Sequence, residues 1–112
     1  MKRYLGLLTL WMSAAACAHA HLQQSIPAEG SVLTQPPSRF DLTFNEAATL
    51  TALSLQKEGQ PVQKIAGLPT KPSAQFNIPA PRLDAGSYTL TFRALSEDSH
   101  VVLGSIRFKI GE

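Results

Sequence analysis

Tyr88-Thr89-Leu90-Thr91-Phe92-Arg93-Ala94 alternates apolar and polar residues without a break. A period of two with one apolar face is the pattern of a half-buried β-strand. Upstream, Leu83-Asp84-Ala85-Gly86 is turn chemistry. Downstream, residues 104–110 put Ile106, Phe108 and Ile110 on one face and Arg107 and Lys109 on the other. Further out, Phe40, Leu42 and Phe44 alternate with Asp41 and Thr43, and Leu50, Ala52-Leu53 and Leu55 read as the next strand. Residues 61–65 and 75–78 read as short strands, the second bounded by Pro79 and Pro81. Turns are expected at Ile26-Pro27-Ala28-Glu29-Gly30-Ser31, at Lys57-Glu58-Gly59-Gln60 and across residues 67–72. No helical period interrupts the series. Short strands with a turn about every ten residues indicate an all-β, immunoglobulin-like sandwich of six or seven strands. Its core is expected to hold Phe40, Leu42, Phe44, Leu53, Leu55, Tyr88, Leu90, Phe92, Ile106 and Phe108.

The first twenty residues follow different rules. Lys2 and Arg3 precede a mostly apolar run that contains Leu7, Leu8, Leu10 and Trp11, and Ala18-His19-Ala20 has the small-x-small form of a signal-peptidase site. The expectation is a signal peptide over residues 1–20, helical within 3–18, cleaved after Ala20 to leave a single domain over 21–112. The apolar run is shorter than the roughly 20 residues a membrane span requires, and nothing after it is apolar enough to span. Ala14-Ala15-Ala16-Cys17 offers a competing site, at which lipidation of Cys17 would keep His21 inside the chain. Cleavage after Ala20 removes the only Cys, the only Trp and both Met residues, leaving no disulfide and no sulfur ligand. It also removes Lys2 and Arg3, which leaves equal numbers of basic and acidic residues. A near-neutral domain does not suit nucleic acid or an anionic membrane as partner.

His21 then becomes the first residue. An N-terminal His offers its α-amine and its ring Nδ1 to the same ion, and the α-amine loses its proton near pH 8, far below lysine. Nitrogen donors in a plane suit Cu(II). Asp98-Ser99-His100 supplies the other half of a site, because in an extended segment residues i and i+2 project to one side. The plainer alternative is a loop turn between the strands around Phe92 and Ile106. Glu97 is expected to be solvated, and Glu46 ends a strand at Phe44-Asn45-Glu46.

These stretches together resemble the CopC family of copper-binding proteins. The resemblance rests on His21-Leu22 with Ser25-Ile26-Pro27-Ala28-Glu29-Gly30-Ser31, on Leu42-Thr43-Phe44-Asn45-Glu46, on Leu83-Asp84-Ala85-Gly86-Ser87-Tyr88-Thr89-Leu90, and on Ser96-Glu97-Asp98-Ser99-His100 followed by Gly104 and Phe108. It implies a Greek-key sandwich, secretion to the periplasm and one Cu(II) per chain, held by His21 (amine and ring), Asp98 and His100. It adds Glu46 as a weak further ligand or a partner of the ligands. It also implies a role in copper carriage or resistance beside a membrane importer of the CopD type, with the chain acting as a monomer. One departure is clear: some relatives hold Cu(I) on a Met-rich stretch, and residues 21–112 contain no Met.

Two other classes stand beside this reading. A copper oxidase built on an N-terminal His brace needs a flat aromatic face, and Tyr88 is the only Tyr after residue 20. A metal-free interaction module needs only an exposed strand edge. No hydrolytic constellation and no phosphate loop is present, so the expectation is a binding protein and not an enzyme.

Overall fold

The computed structural model describes residues 20–112. Residues 1–19 of the expected signal segment, with its expected helix over 3–18, lie outside the described residues. Seven strands follow in order: β1 Leu22–Ile26, β2 Ser31–Leu33, β3 Arg39–Lys57, β4 Gln63–Lys64, β5 Ser73–Pro79, β6 Gly86–Ser96 and β7 Val101–Ile110. Among the described residues there is no helix.

β3 organises the rest. Its first half pairs antiparallel with β1 and β5, and its second half pairs antiparallel with β6 and β4. The continuous order is β1-β3-β6-β7-β2, which is not the order along the chain. The sheet curls so that its two halves face each other, as in a Greek-key sandwich. Phe44 meets Phe92 edge-on at 5.4 Å between ring centroids, and Phe40 meets Phe108 at 6.2 Å. These are contacts between the first half of β3 and strands β6 and β7, across the core.

One expectation is corrected. The sequence pattern suggests two strands, over residues 40–44 and 50–55, but β3 runs through both without a turn. No Gly or Pro falls between Ser38 and Glu58, so nothing forces the chain to reverse. Asn45-Glu46-Ala47 instead carries the chain from one layer to the other. Pairing with β5 becomes irregular between Thr43 and Ala48, and pairing with β6 shifts between Leu50 and Ala52. The second shift is a bulge that leaves Thr51 and Ala52 both exposed. It changes the inward phase, so Leu50 and Leu53 are both buried although three positions separate them. β2 has no counterpart in the sequence pattern. It is a three-residue strand in a turn-rich stretch, paired parallel to the end of β7.

Every residue expected in the core is buried, joined by Leu50, Phe76, Ile78, Ala94 and Ile110. Two local features explain residues that the pattern only marks. The Tyr88 hydroxyl donates to the Asp84 carbonyl at 2.7 Å, closing the turn before β6 in the manner of a tyrosine corner. Its ring stacks on Phe108 at 5.4 Å. Gly104 lies opposite Phe92, and a Cβ built there would come within 2.5 Å of the ring. Gly104 therefore provides the space in which Phe92 packs.

Gly104→Ala is expected to destabilise the domain by roughly 1–3 kcal/mol through overpacking, and Tyr88→Phe by about 1 kcal/mol through loss of one hydrogen bond. Denaturant unfolding followed by circular dichroism checks both. A neutral Gly104→Ala would mean that Phe92 has another place to go.

Candidate metal centre

The candidate residues come from both sides of the β3 crossover. Leu22 pairs with Phe44, which brings His21 beside Asn45. Asn45 donates its backbone N–H to the His21 carbonyl at 3.0 Å, and the His21 nitrogen donates to Asn45 Oδ1 at 2.5 Å. At the other end of the crossover, Ala48 pairs with Ser96, the last residue of β6. Asp98 and His100 follow in the turn between β6 and β7. Glu46 lies between these two anchor points and is half-buried.

Asp98 and His100 are in contact, with Asp98 Oδ2 at 2.8 Å from His100 Nδ1. The sequence argument brings them together by extension of the strand, and here the structure corrects the reason. Residues 97–99 form a turn and not a strand. Ser99 donates its N–H to the Ser96 carbonyl at 2.9 Å, Ser96 donates its own to the His100 carbonyl at 2.9 Å, and Ser99 has a φ of 72°. This is the three-residue hairpin in which a turn is followed by one left-handed residue. The loop turn and the shared reach of Asp98 and His100 are thus the same structure.

Ser96 holds the turn from beneath. It is buried, its hydroxyl donates to Asp98 Oδ1, and His100 donates its N–H to the same hydroxyl oxygen at 3.2 Å. The Ser96 hydroxyl, followed by the His100 ring, holds the Asp98 carboxyl down to about 2. A carboxylate so depressed contributes stability that is complete above its unfolded pKa and is lost as pH falls through about 2. Asp98 is therefore anionic at every pH at which a nitrogen donor would be free to bind a metal.

The four candidates do not form a closed cage. Among the described residues, no three His, Cys, Asp or Glu side chains are gathered as a metal site. Asp98 and His100 are joined, while His21 and Glu46 stand along the same stretch of β3 without joining them. To take up an ion, His100 would bind through Nε2 with Asp98 orienting its ring, or Asp98 would exchange its contact with the ring for the metal. The donor set itself, imidazole nitrogen with carboxylate oxygen, fits Cu(II). Two surface clefts, one bordered by Val32, Tyr88 and Arg107 and the other by Leu55, Arg82 and Tyr88, include none of these residues.

Sequence reasoning missed Asn45 and Ser96, the residues that anchor the two halves. Both are ordinary strand residues by pattern. Only the pairing of β1 and β6 with opposite ends of the crossover gives them their place.

Comparison with known proteins settles the family. The CopC domain family matches residues 22–111. The chain belongs to the CopC family. Copper resistance protein C of Pseudomonas syringae pv. tomato is 32% identical over 109 residues, covering 88% of this chain and 86% of the relative. Copper resistance protein C of Escherichia coli is 27% identical, covering 94% and 91%. Among solved structures, CopC from Methylosinus trichosporium OB3b superposes with a TM-score of 0.70 at 26% identity, covering 83% of this chain and 94% of that one. PcoC from Escherichia coli, described as a methionine-rich copper resistance protein, superposes at 0.57 with 28% identity, covering 83% and 99%. Methionine marks a difference within the family, since both methionines of this chain, Met1 and Met12, precede the CopC domain.

Ser99→Gly is expected to leave the hairpin intact and to be neutral or stabilising by up to about 1 kcal/mol, because Gly adopts the left-handed conformation without the Cβ clash. Thermal unfolding checks this, and a clear loss of stability would mean that the Ser99 side chain supports the turn.

Proposed function

We propose that this CopC-family protein is a periplasmic Cu(II) carrier that binds one ion through the His21 amine and ring, Asp98 and His100. The observation that carries the reading is the contact between Asp98 and His100 on a hairpin rooted at one end of the crossover whose other end binds His21. In the full chain the His21 nitrogen is an amide. Cleavage after Ala20 makes it an amine, and a metal-bound amine keeps N–H groups with which to hold Asn45 Oδ1. Asn45 then orients the amine while the ring reaches for the ion. Glu46, half-buried between the anchors, serves as a weak ligand or as a hydrogen-bond partner of one. The relatives are named for copper resistance, which supports a copper-related role. Delivery to a membrane importer of the CopD type fits a carrier of this kind.

The absence of Met and Cys from residues 21–112 argues that the site is for Cu(II) alone. Reduction with ascorbate in the presence of a Cu(I) chelator is expected to release the ion completely. Retention of a stoichiometric ion would contradict a single Cu(II) site.

Cu(II) titration of the processed protein tests the ligand set. His100→Ala is expected to cost the most affinity and Asp98→Ala somewhat less. Glu46→Gln and Asn45→Ala are expected to cost about 10–100-fold, the range for groups that act through a ligand. A Glu46→Gln loss equal to that of His100→Ala would make Glu46 a full ligand. The sharpest comparison places Gly between Ala20 and His21, with cleavage before the Gly. It keeps the imidazole and turns the amine into an amide, so binding is expected to weaken severely while the fold is unchanged. Equal affinity with and without the Gly would exclude the amine from the site.

A further inference from the structure

β6 presents an inward row of Tyr88, Leu90, Phe92 and Ala94, and the next inward position is Ser96. Ser96 is 4% exposed. Tyr88 aside, it is the only polar side chain buried among the described residues. A hydroxyl in an apolar row costs stability unless it is hydrogen-bonded. The bonds of this one run to the hairpin that carries Asp98 and His100. The hydroxyl donates to Asp98 Oδ1 and accepts the His100 N–H at 3.2 Å. The core gains nothing from it, since an Ala would fill the row as Ala94 does two residues earlier. A polar residue where the row asks for an apolar one points to a role outside the core.

The two oxygens of Asp98 are held differently. Oδ1 accepts from the Ser96 hydroxyl, with the His100 N–H also 3.4 Å away. Oδ2 meets His100 Nδ1 at 2.8 Å, and there the Asp98 and His100 side chains are 39% and 60% exposed. One oxygen is thus tied to a buried group and the other to an imidazole that solvent reaches.

We infer that Ser96 is a positioning residue of the copper site: its hydroxyl holds Asp98 Oδ1, so that the carboxylate presents Oδ2 alone to the ion. The inference rests on the reading of His21, Asp98 and His100 as ligands, and it names what limits Asp98 to one oxygen. The limit matters for Cu(II), which favours a tetragonal plane of nitrogen and oxygen donors. The amine and ring of His21 with the ring of His100 supply three nitrogens, and one carboxylate oxygen completes the plane. A carboxylate free to turn could bring both oxygens to the ion and displace a nitrogen. A carboxylate already held also loses less freedom when it binds.

The test is Cu(II) titration and electron paramagnetic resonance of the processed protein carrying Ser96→Ala, Ser96→Thr or Asp98→Ala. Ser96→Ala removes the hydroxyl and is expected to weaken Cu(II) about 10–100-fold, the range for groups that act through a ligand. Its Cu(II) spectrum should show a smaller parallel hyperfine splitting, as oxygen takes a larger share of the plane. Ser96→Thr keeps the hydroxyl and should restore both affinity and spectrum. Against an Asp98→Ala background, Ser96→Ala should change affinity by no more than about twofold, because the group it acts through is gone. In the metal-free protein, amide exchange at His100 should quicken in Ser96→Ala, while denaturant unfolding stays cooperative. Native affinity and spectrum in Ser96→Ala would overturn the inference. So would a loss that persists in full against Asp98→Ala, which would make Ser96 a support of the whole hairpin. Should Thr not fit the row, the cycle with Asp98→Ala decides. Failure of the ligand reading looks different: Asp98→Ala and His100→Ala would then leave Cu(II) affinity unchanged, and the positioning role would fall with it.

Discussion

Phe44 sits edge-on to Phe76 and to Phe92, and that wedge joins the two layers of the domain. It is the last inward residue of β3 before the crossover. Once it is seated, β1 and β5 are held on one side of the sandwich and β6 and β7 on the other. Phe92 can approach because Gly104 opposite it has no side chain. A requirement of the core thus reaches β7 and leaves a glycine in the middle of that strand.

The same crossover accounts for the position of the candidate ligands. The residues after Phe44 belong to neither half of β3 pairing in full, so a terminus can dock at one end and a hairpin can start at the other. Asn45 takes the His21 nitrogen and carbonyl. Ser96, paired with Ala48, takes the hairpin. A buried hydroxyl beneath an exposed turn is an economical support: it donates to the Asp98 carboxylate and accepts the His100 N–H. The turn is therefore shaped without an ion, which would lower the ordering cost of binding one. His21 is held at Asn45 through its backbone nitrogen and carbonyl.

Much of the fold was legible because alternation is a local property. Phe40, Leu42 and Phe44, and Tyr88, Leu90 and Phe92, had to share a face in any strand, and each is buried. Less was legible where a strand continues for reasons outside itself. Nothing local distinguishes a break at Asn45-Glu46-Ala47 from a crossover, because the difference lies in which strands pair at either end. The bulge at Thr51 and Ala52 was hidden for the same reason. β2 was hidden because three residues carry no period, and its pairing is contributed by β7.

The chemical inventory belongs to the sequence alone: a His after a small-x-small site, an Asp-x-His, and no sulfur in the domain. Those choices restrict which metal could be held, because donor type is a property of side chains and not of their arrangement. Tertiary structure decided what stands next to what. It made the Asp98-Ser99-His100 stretch a hairpin turn, put Ser96 beneath it, set Asn45 against His21, and set Glu29 against Arg107. Each of these is a contact between positions whose proximity depends on strand register, and register is settled only when the whole sheet packs.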